Sequence, residues 1–316
     1  MKKLFFLVLT VLLVFGCDYI ESPDKTDEEN VKVSLLMTGE VVSEETPLNQ
    51  TRANTFSSND LIGIQVYQDG QPYARGLFDD CSNLSIYLHT GRTYTFKCAY
   101  LVNGKDYQEV CSKSGTDYYA YGIFQPKSFT GGGGISQIWG GDSFQYTDTG
   151  NHLAFLASRS ECIKRSHRRY YGQLSGYTPG TGNPIINLRS VVFGIQYSIT
   201  GITDGEVSIT IKCNNTSTRN NGIIFNDSGI RSSTSSIEEL VCCNDVYNAW
   251  AMGDDYTENV TVSMSWLRGV GVNQNLGSQI VQVKRNRKNI IHISLSTSTR
   301  ASDSDNVVPV ITVESI

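Results

Sequence analysis

The chain has 316 residues and a formal charge of −5, with 29 glycines, 17 tyrosines and 8 cysteines. The acidic balance argues against nucleic acid as a partner, because phosphate contacts need clustered Lys and Arg. Long Leu/Ala/Glu/Lys runs are missing and Thr, Ser, Asn, Gly and Tyr are abundant, which points to an all-β chain long enough for two ordinary domains.

Residues 1–17 read as an export signal: Lys2 and Lys3, an apolar run over 4–15, then Gly16 and Cys17. The run is too short to cross a bilayer core, which takes about 20 helical residues. Val14-Phe15-Gly16-Cys17 resembles the lipobox of bacterial lipoproteins. That resemblance implies a signal peptide over 1–16 and acylation of the Cys17 thiol, palmitate included, so that Cys17 opens the mature chain. Loss of Lys2 and Lys3 takes the formal charge from −5 to −7. Residues 18–30 then carry six acidic side chains against Lys25 alone, a solvated tether.

Val31, Val33, Leu35 and Met37 alternate with Lys32, Ser34, Leu36 and Thr38, the pattern of a strand with one buried face. Residues 39–60 form a long polar span containing Arg52, accessible to proteases. Residues 61–68 form the next strand, closed by the hairpin dipeptide Asp69-Gly70. A short strand over 84–88 and a strictly alternating one over 92–101 (Tyr94, Phe96, Cys98, Tyr100) follow. The pattern loosens from 112 to 184. Gly131–Gly134 is flanked by Tyr118, Tyr119, Tyr121, Trp139 and Tyr146, and with no Gly-Lys-Ser/Thr after it the run reads as a surface loop. Residues 152–157 suggest an edge strand. Lys164, Arg165, His167, Arg168 and Arg169 form a basic cluster read as a solvated loop, and residues 176–184 have the Gly/Pro chemistry of a linker.

Val191, Phe193, Ile195, Tyr197 and Ile199 make the clearest alternation. It is followed across a five-residue loop by Val207, Ile209, Ile211 and Cys213, and the pair reads as a β-hairpin. Ser235-Ser236-Ile237-Glu238-Glu239 predicts a capped helix running to about Trp250. Strands over 260–266 and 291–295 precede the terminal strand 307–316, which Pro309 confines to a sheet edge.

Of the seven cysteines after Cys17, Cys98 and Cys213 fall on apolar strand faces, where thiols are structural; disulfides among the others stay open. His89, His152, His167 and His292 lie far apart, and neither H-E-x-x-H nor G-x-S-x-G occurs. The expectation is a non-enzymatic protein with no catalytic residues, no metal site and no cofactor.

Several landmarks together resemble the fimbrillin-like surface lipoproteins of Bacteroidetes, the subunits of donor-strand pili. They are the lipobox at Cys17, the acidic tether, the strand over 91–100, the strand over 188–199, and the Lys284-Arg285-Asn286 turn before the strand at 290–295. The resemblance implies two antiparallel β-sandwich domains of transthyretin-like topology with one short helix. It divides the chain into a signal peptide (1–16), a lipid anchor, tether and leader strand (17–52), an N-terminal domain (53–175) and a C-terminal domain (176–316). It further implies proteolytic processing at Arg52, departure of the leader strand and its replacement by a strand of another pilus subunit or of a second copy. Such a protein sits at the outer membrane on its lipid, or passes into a fimbrium once cut. The glycine- and tyrosine-rich stretch 112–184 departs from a compact fimbrillin. It supports the alternative of a monomeric surface lipoprotein that binds glycans or host ligands through Tyr119, Tyr121 and Trp139.

Overall fold

The alternating strands predicted from sequence assemble, in a computed structural model, around two apolar cores. The structure describes residues 29–40, 57, 59–78, 84–104, 111–114, 117–120, 136–137, 144–146, 168–213, 224–232, 234–235, 239–269, 271–297 and 307–316. The first half holds β1 (Asn30–Ser34), β2 (Leu36–Gly39), β3 (Leu61–Gln68), β4 (Gln71–Phe78), β5 (Ser85–His89), β6 (Tyr94–Leu101), β7 (Cys111–Ser114) and β8 (Asp117–Ala120). β9 (Ser136–Gln137), β10 (Gln145–Tyr146), β11 (Arg169–Tyr177) and β12 (Ile185–Ser190) complete it. The second half holds β13 (Val192–Thr200), β14 (Glu206–Cys213), β15 (Ile224–Ile230), β16 (Thr234–Ser235) and β17 (Glu239–Cys242). There follow α1 (Val246–Met252), β18 (Thr257–Leu267), β19 (Asn273–Lys284), β20 (Lys288–Thr297) and β21 (Val307–Ser315). The described residues are all-β with one short α-helix.

The first core lies between a seven-stranded sheet, ordered β10-β4-β3-β6-β11-β12-β2, and the ribbon β1-β5. Ile62, Ile64 and Val66 of β3 and Tyr94, Phe96, Cys98 and Tyr100 of β6 face Val33, Leu35, Ile86 and Leu88 across it. Asp69 (φ 48°) and Gly70 (φ 83°) supply the positive φ angles of the β3–β4 hairpin, as expected for an Asp-Gly turn. Residues 176–184, read from sequence as a linker, join β11 to β12 within one sheet. The glycines there serve a hairpin loop: Gly176, Gly180 and Gly182 all have positive φ. This core draws on residues as far as Leu188, and the second is drawn from Val191 onward, with Leu61, Ala99, Leu101 and Tyr171 on the back of the first sheet joining it.

The second core is a sandwich of the sheet β16-β13-β20-β21, with β17 also on β13, against the sheet β15-β14-β18-β19. Phe193, Ile195, Tyr197 and Ile199 face Val207, Ile209, Ile211, Val262 and Trp266. Here the expected hairpin of β13 with β14 does not form: the two strands lie in opposite sheets. A period of two buries one face equally well in either arrangement. The loop decides, because Gly201 (φ 84°) and Gly205 (φ 66°) pass so close to Leu295 O and Leu267 O that a Cβ at either would lie 2.0 Å away. The helix is also shorter than predicted. It starts at Asp245, whose carboxylate accepts from the Asn248 N–H, while Glu239 opens β17, paired with β13. The apolar partner strand overrides the local capping-box signal. Arg168 and Arg169, read as solvated, are buried at 8% and 2% exposure. Arg169 opens β11 and its Nη1 donates to Cys242 Sγ at 3.3 Å.

β13 is parallel to β20 and β2 is parallel to β12, so the sheets are mixed although most pairs are antiparallel. β21 pairs only with β20 among the described residues, at the edge where Pro309 requires it. Cys98, Cys213, Cys242 and Cys243 are free thiols, and burial raises the pKa of Cys213, Cys242 and Cys243.

Glu258 on β18 generates a prediction. Burial pushes its carboxyl up from 4.5 to about 7, against the Asn244 N–H that donates to it at 2.7 Å. The folded state therefore holds a proton that the unfolded chain has lost. The associated stability is complete below about 4.5 and disappears as pH rises through about 7. Thermal melts of Glu258→Gln are expected to lack most of the parent's decline between pH 5 and 8. The difference at pH 8 should be on the order of 2–3 kcal/mol in favour of the variant.

Candidate functional site: the N-terminal strand seam

The predicted strand over 31–37 is one run that changes partners midway. β1 pairs antiparallel with β5, from Asn30↔His89 to Ser34↔Ser85. At Leu35 the backbone crosses over: the Leu35 N–H donates to Leu84 O at 2.8 Å and the Leu36 N–H to Pro184 O at 3.0 Å. β2 then runs parallel to β12, Ile185↔Leu36 through Leu188↔Gly39. Val33 and Leu35 are about 5% exposed, and Val31 and Met37 are half-buried on the same face. A strand with one buried face thus closes both layers of the first core.

The run ends on a charged anchor that sequence reasoning missed. The Glu40 N–H donates to Leu188 O at 2.9 Å, and its carboxylate takes the Ser190 N–H at 2.8 Å. Arg285, in the turn between β19 and β20, meets the same carboxylate with both terminal nitrogens, each at 2.8 Å. Its remaining donors go to Gly253 O (2.7 Å), Ser190 O (2.6 Å) and Asp254 (2.8 Å). The Arg285 side chain has no solvent exposure, and Glu40 has 25%. Burial works against the guanidinium charge, but Glu40 and Asp254 outweigh it and the pKa is raised. Charge-assisted, two-pronged contacts of this kind are the strong class of hydrogen bond. The one clue in the sequence was Gly39-Glu40, a glycine and an acid immediately beyond the alternation.

Gly39 is required there. Its φ is +95°, and a Cβ would lie 2.0 Å from Asn187 Oδ1 and 2.5 Å from Leu188 O.

A second feature lies at the outer end of β1. Asn30, Gln68, Asp69, Gln71, Pro72, Tyr73, Tyr87, His89 and Tyr146 line a cleft of about 750 Å³. The Tyr73 ring stands edge-on to His89 and Tyr146, with centroids 5.7 and 5.4 Å apart. Tyr73 Oη donates to Tyr87 O, and the Tyr87 N–H donates to Tyr146 Oη. Of the aromatic residues singled out around the glycine run, Tyr146 is in this cleft. Tyr119 lies in β8, which pairs with β7 and β9. Tyr121 and Trp139, like Cys17 and Arg52, lie outside the described residues. Tyr73 and Tyr87 escaped notice in the sequence because each is the one tyrosine of its strand.

The seam yields a prediction. Gly39→Ala should free the β2 end of the run, at a cost of about 1–3 kcal/mol. Hydrogen exchange is expected to speed up first at the amides of residues 36–40.

No family model matches the chain, and no curated protein matches its sequence. Among solved structures, it is similar to the fimbrial anchor protein Mfa2 from Porphyromonas gingivalis at 10% identity, with 90% of this chain and 96% of that one covered and a TM-score of 0.40. It is similar to a candidate adhesin from Bacteroides thetaiotaomicron at 12% identity, covering 92% and 97%, with a TM-score of 0.43. The tip fimbrial protein Mfa3 from Porphyromonas gingivalis matches at 10% identity over 91% and 100%, with a TM-score of 0.34. The structural neighbours of this chain are thus Bacteroidetes fimbrial and adhesin-class proteins.

Proposed function

We propose that this protein is a fimbrial structural or adhesin subunit, exported as a lipoprotein on Cys17, that joins its neighbours by strand exchange. The observation that carries the reading is the N-terminal run itself. It lies at the start of the described residues and contributes one edge to each layer of the first core. It is followed by a polar span in which Arg52 is the only Lys or Arg between Lys32 and Arg75. One cut after Arg52 would sever the run without cutting any other described strand. Its departure would expose the β5 and β12 edges and the apolar faces that Val33 and Leu35 cover. An open edge beside a vacant groove favours capture of another strand. The C-terminal β21 is the donor in this reading. Among the described residues it pairs in a sheet with β20 alone, with Gln279 Nε2 of β19 donating to Ile311 O on its other edge at 3.3 Å, and Val310 on it is 55% exposed.

Treatment of the purified protein with an arginine-specific protease is expected to cut at Arg52 and yield SDS-resistant ladders, which deletion of residues 307–316 abolishes. A nicked chain that stays monomeric overturns strand exchange. Cys17→Ala is expected to move the protein out of the membrane fraction; unchanged fractionation overturns the lipid anchor.

The aromatic cleft favours a second reading, glycan binding by a surface lipoprotein. Exposed tyrosine rings beside amide and carboxylate side chains suit the apolar and hydroxyl faces of a sugar. Tyr87→Ala and Tyr146→Ala, each about half-exposed in the parent, are expected to lose a glycan-array signal while keeping the melting temperature. An array on which parent and variants are equally silent removes this reading.

A further inference from the structure

The C-terminal strand repeats the end of the leader. Set Glu314 on Glu40, and Thr312 falls on Thr38, Ile311 on Met37, Val310 on Leu36 and Val307 on Val33. The two segments share an apolar alternation, a threonine and an acid two residues after it. In the leader that acid is the carboxylate held by Arg285 and the Ser190 N–H.

We propose that the junction formed by Arg285, Ser190 and β12 is a carboxylate-reading slot, and that in the joined state Glu314 of a second copy takes the place of Glu40. The inference rests on strand exchange as the mode of assembly and adds the residue that sets register and durability. The charge argument requires an acid. Arg285 is fully buried with the leader in place; when the leader leaves it loses a bidentate partner and keeps Asp254 and two backbone carbonyls. A buried guanidinium stripped of one carboxylate strongly favours an incoming segment that brings another. In its home position Glu314 has little to lose: it is 59% exposed, and among the described residues its side chain meets His292 Nε2 at 3.3 Å, itself 44% exposed.

Val308 falls on Ser34, an exposed position of β1, and two further mismatches sharpen the inference. Pro309 falls on Leu35 and cannot supply the N–H that Leu35 gives to Leu84 O. That place is the break between β1 and β2, where a proline is tolerated best. Val313 falls on Gly39, where the left-handed backbone and the nearness of Leu188 O exclude a branched side chain. The incoming strand must therefore seat Glu314 with Val313 in an extended conformation, and a glycine there should fit better.

The test uses the mature chain nicked at Arg52, with ladders formed by the parent, Glu314→Gln and Val313→Gly, and follows dissociation in SDS as temperature rises. Glu314 is exposed at home, so its substitution leaves the monomer intact, which a parallel melt verifies. Glu314→Gln ladders are expected to form and to fall apart roughly ten- to a hundredfold faster than the parent's, the range of a lost charge-assisted contact. Val313→Gly ladders should outlast the parent's. Glu314→Gln ladders as durable as the parent's overturn the slot and leave strand exchange standing. If no variant forms ladders and deletion of 307–316 changes nothing, strand exchange itself is overturned, and the slot with it.

Discussion

One buried guanidinium ties the N-terminal run to the far half of the molecule. Arg285 reaches Glu40 across 245 positions of sequence, and in doing so it joins the edge of the first sheet to the turn that starts β20. Isolated surface ion pairs contribute little. This one is different in kind, because its cationic member is wholly enclosed and every nitrogen has an acceptor. Removing one partner of such a pair costs several kcal/mol, since the remaining charge stays buried. The β1–β2 run is thus more than an edge of one sheet; its presence is felt at the junction of both cores.

The junction has further ties. Trp250 of α1 donates through Nε1 to Asn187 O of β12 at 2.9 Å, and its ring stands edge-on to Tyr171 of β11. Arg189 returns a bond to Trp250 O at 2.8 Å. Within the second half, Asn289 is fully buried and takes the Lys284 N–H and the Ser315 hydroxyl on its carbonyl oxygen. It therefore fixes both the turn that carries Arg285 and the last residues of β21. The elements at the two ends of the chain, far apart in sequence, are held by neighbouring parts of one network.

What the sequence made legible was the set of alternating faces. Ile62/Ile64/Val66, Tyr94/Phe96/Cys98/Tyr100 and Phe193/Ile195/Tyr197/Ile199 all face cores, and Asp69-Gly70 turns the chain as its chemistry demands. Which strand sits beside which was not legible, because period-two patterning reports a buried face and not a neighbour. That is why β13 and β14 read as a hairpin and why residues 176–184 read as a linker. The partner switch at Leu35 was hidden for the same reason: Val33 and Leu35 share a face whether one strand or two receive them. The Lys284-Arg285-Asn286 turn stood out, but the burial of Arg285 and its pairing with Glu40 did not, because an arginine in a turn looks like any solvated charge. Arg168 and Arg169 misled in the same way. The burial of a cation depends on acceptors contributed from distant strands, and no local pattern encodes it.

The proline near the C-terminus has a consequence for how copies of the molecule can meet. Ile316 exchanges both backbone hydrogen bonds with Lys288, each at 3.0 Å. With an unbroken register down the pair, even-numbered residues of β21 therefore turn their N–H groups toward β20 and odd-numbered residues turn theirs away from it, to the side where Gln279 Nε2 of β19 donates to Ile311 O at 3.3 Å. Pro309 is odd-numbered, so its missing donor leaves the home pairing whole and blanks the outward rim instead. A foreign strand laid against that rim would find a gap in the ladder with a pyrrolidine ring standing in it. Side-by-side stacking of sheets, the route to shapeless aggregates, is discouraged at the strand that ends the chain.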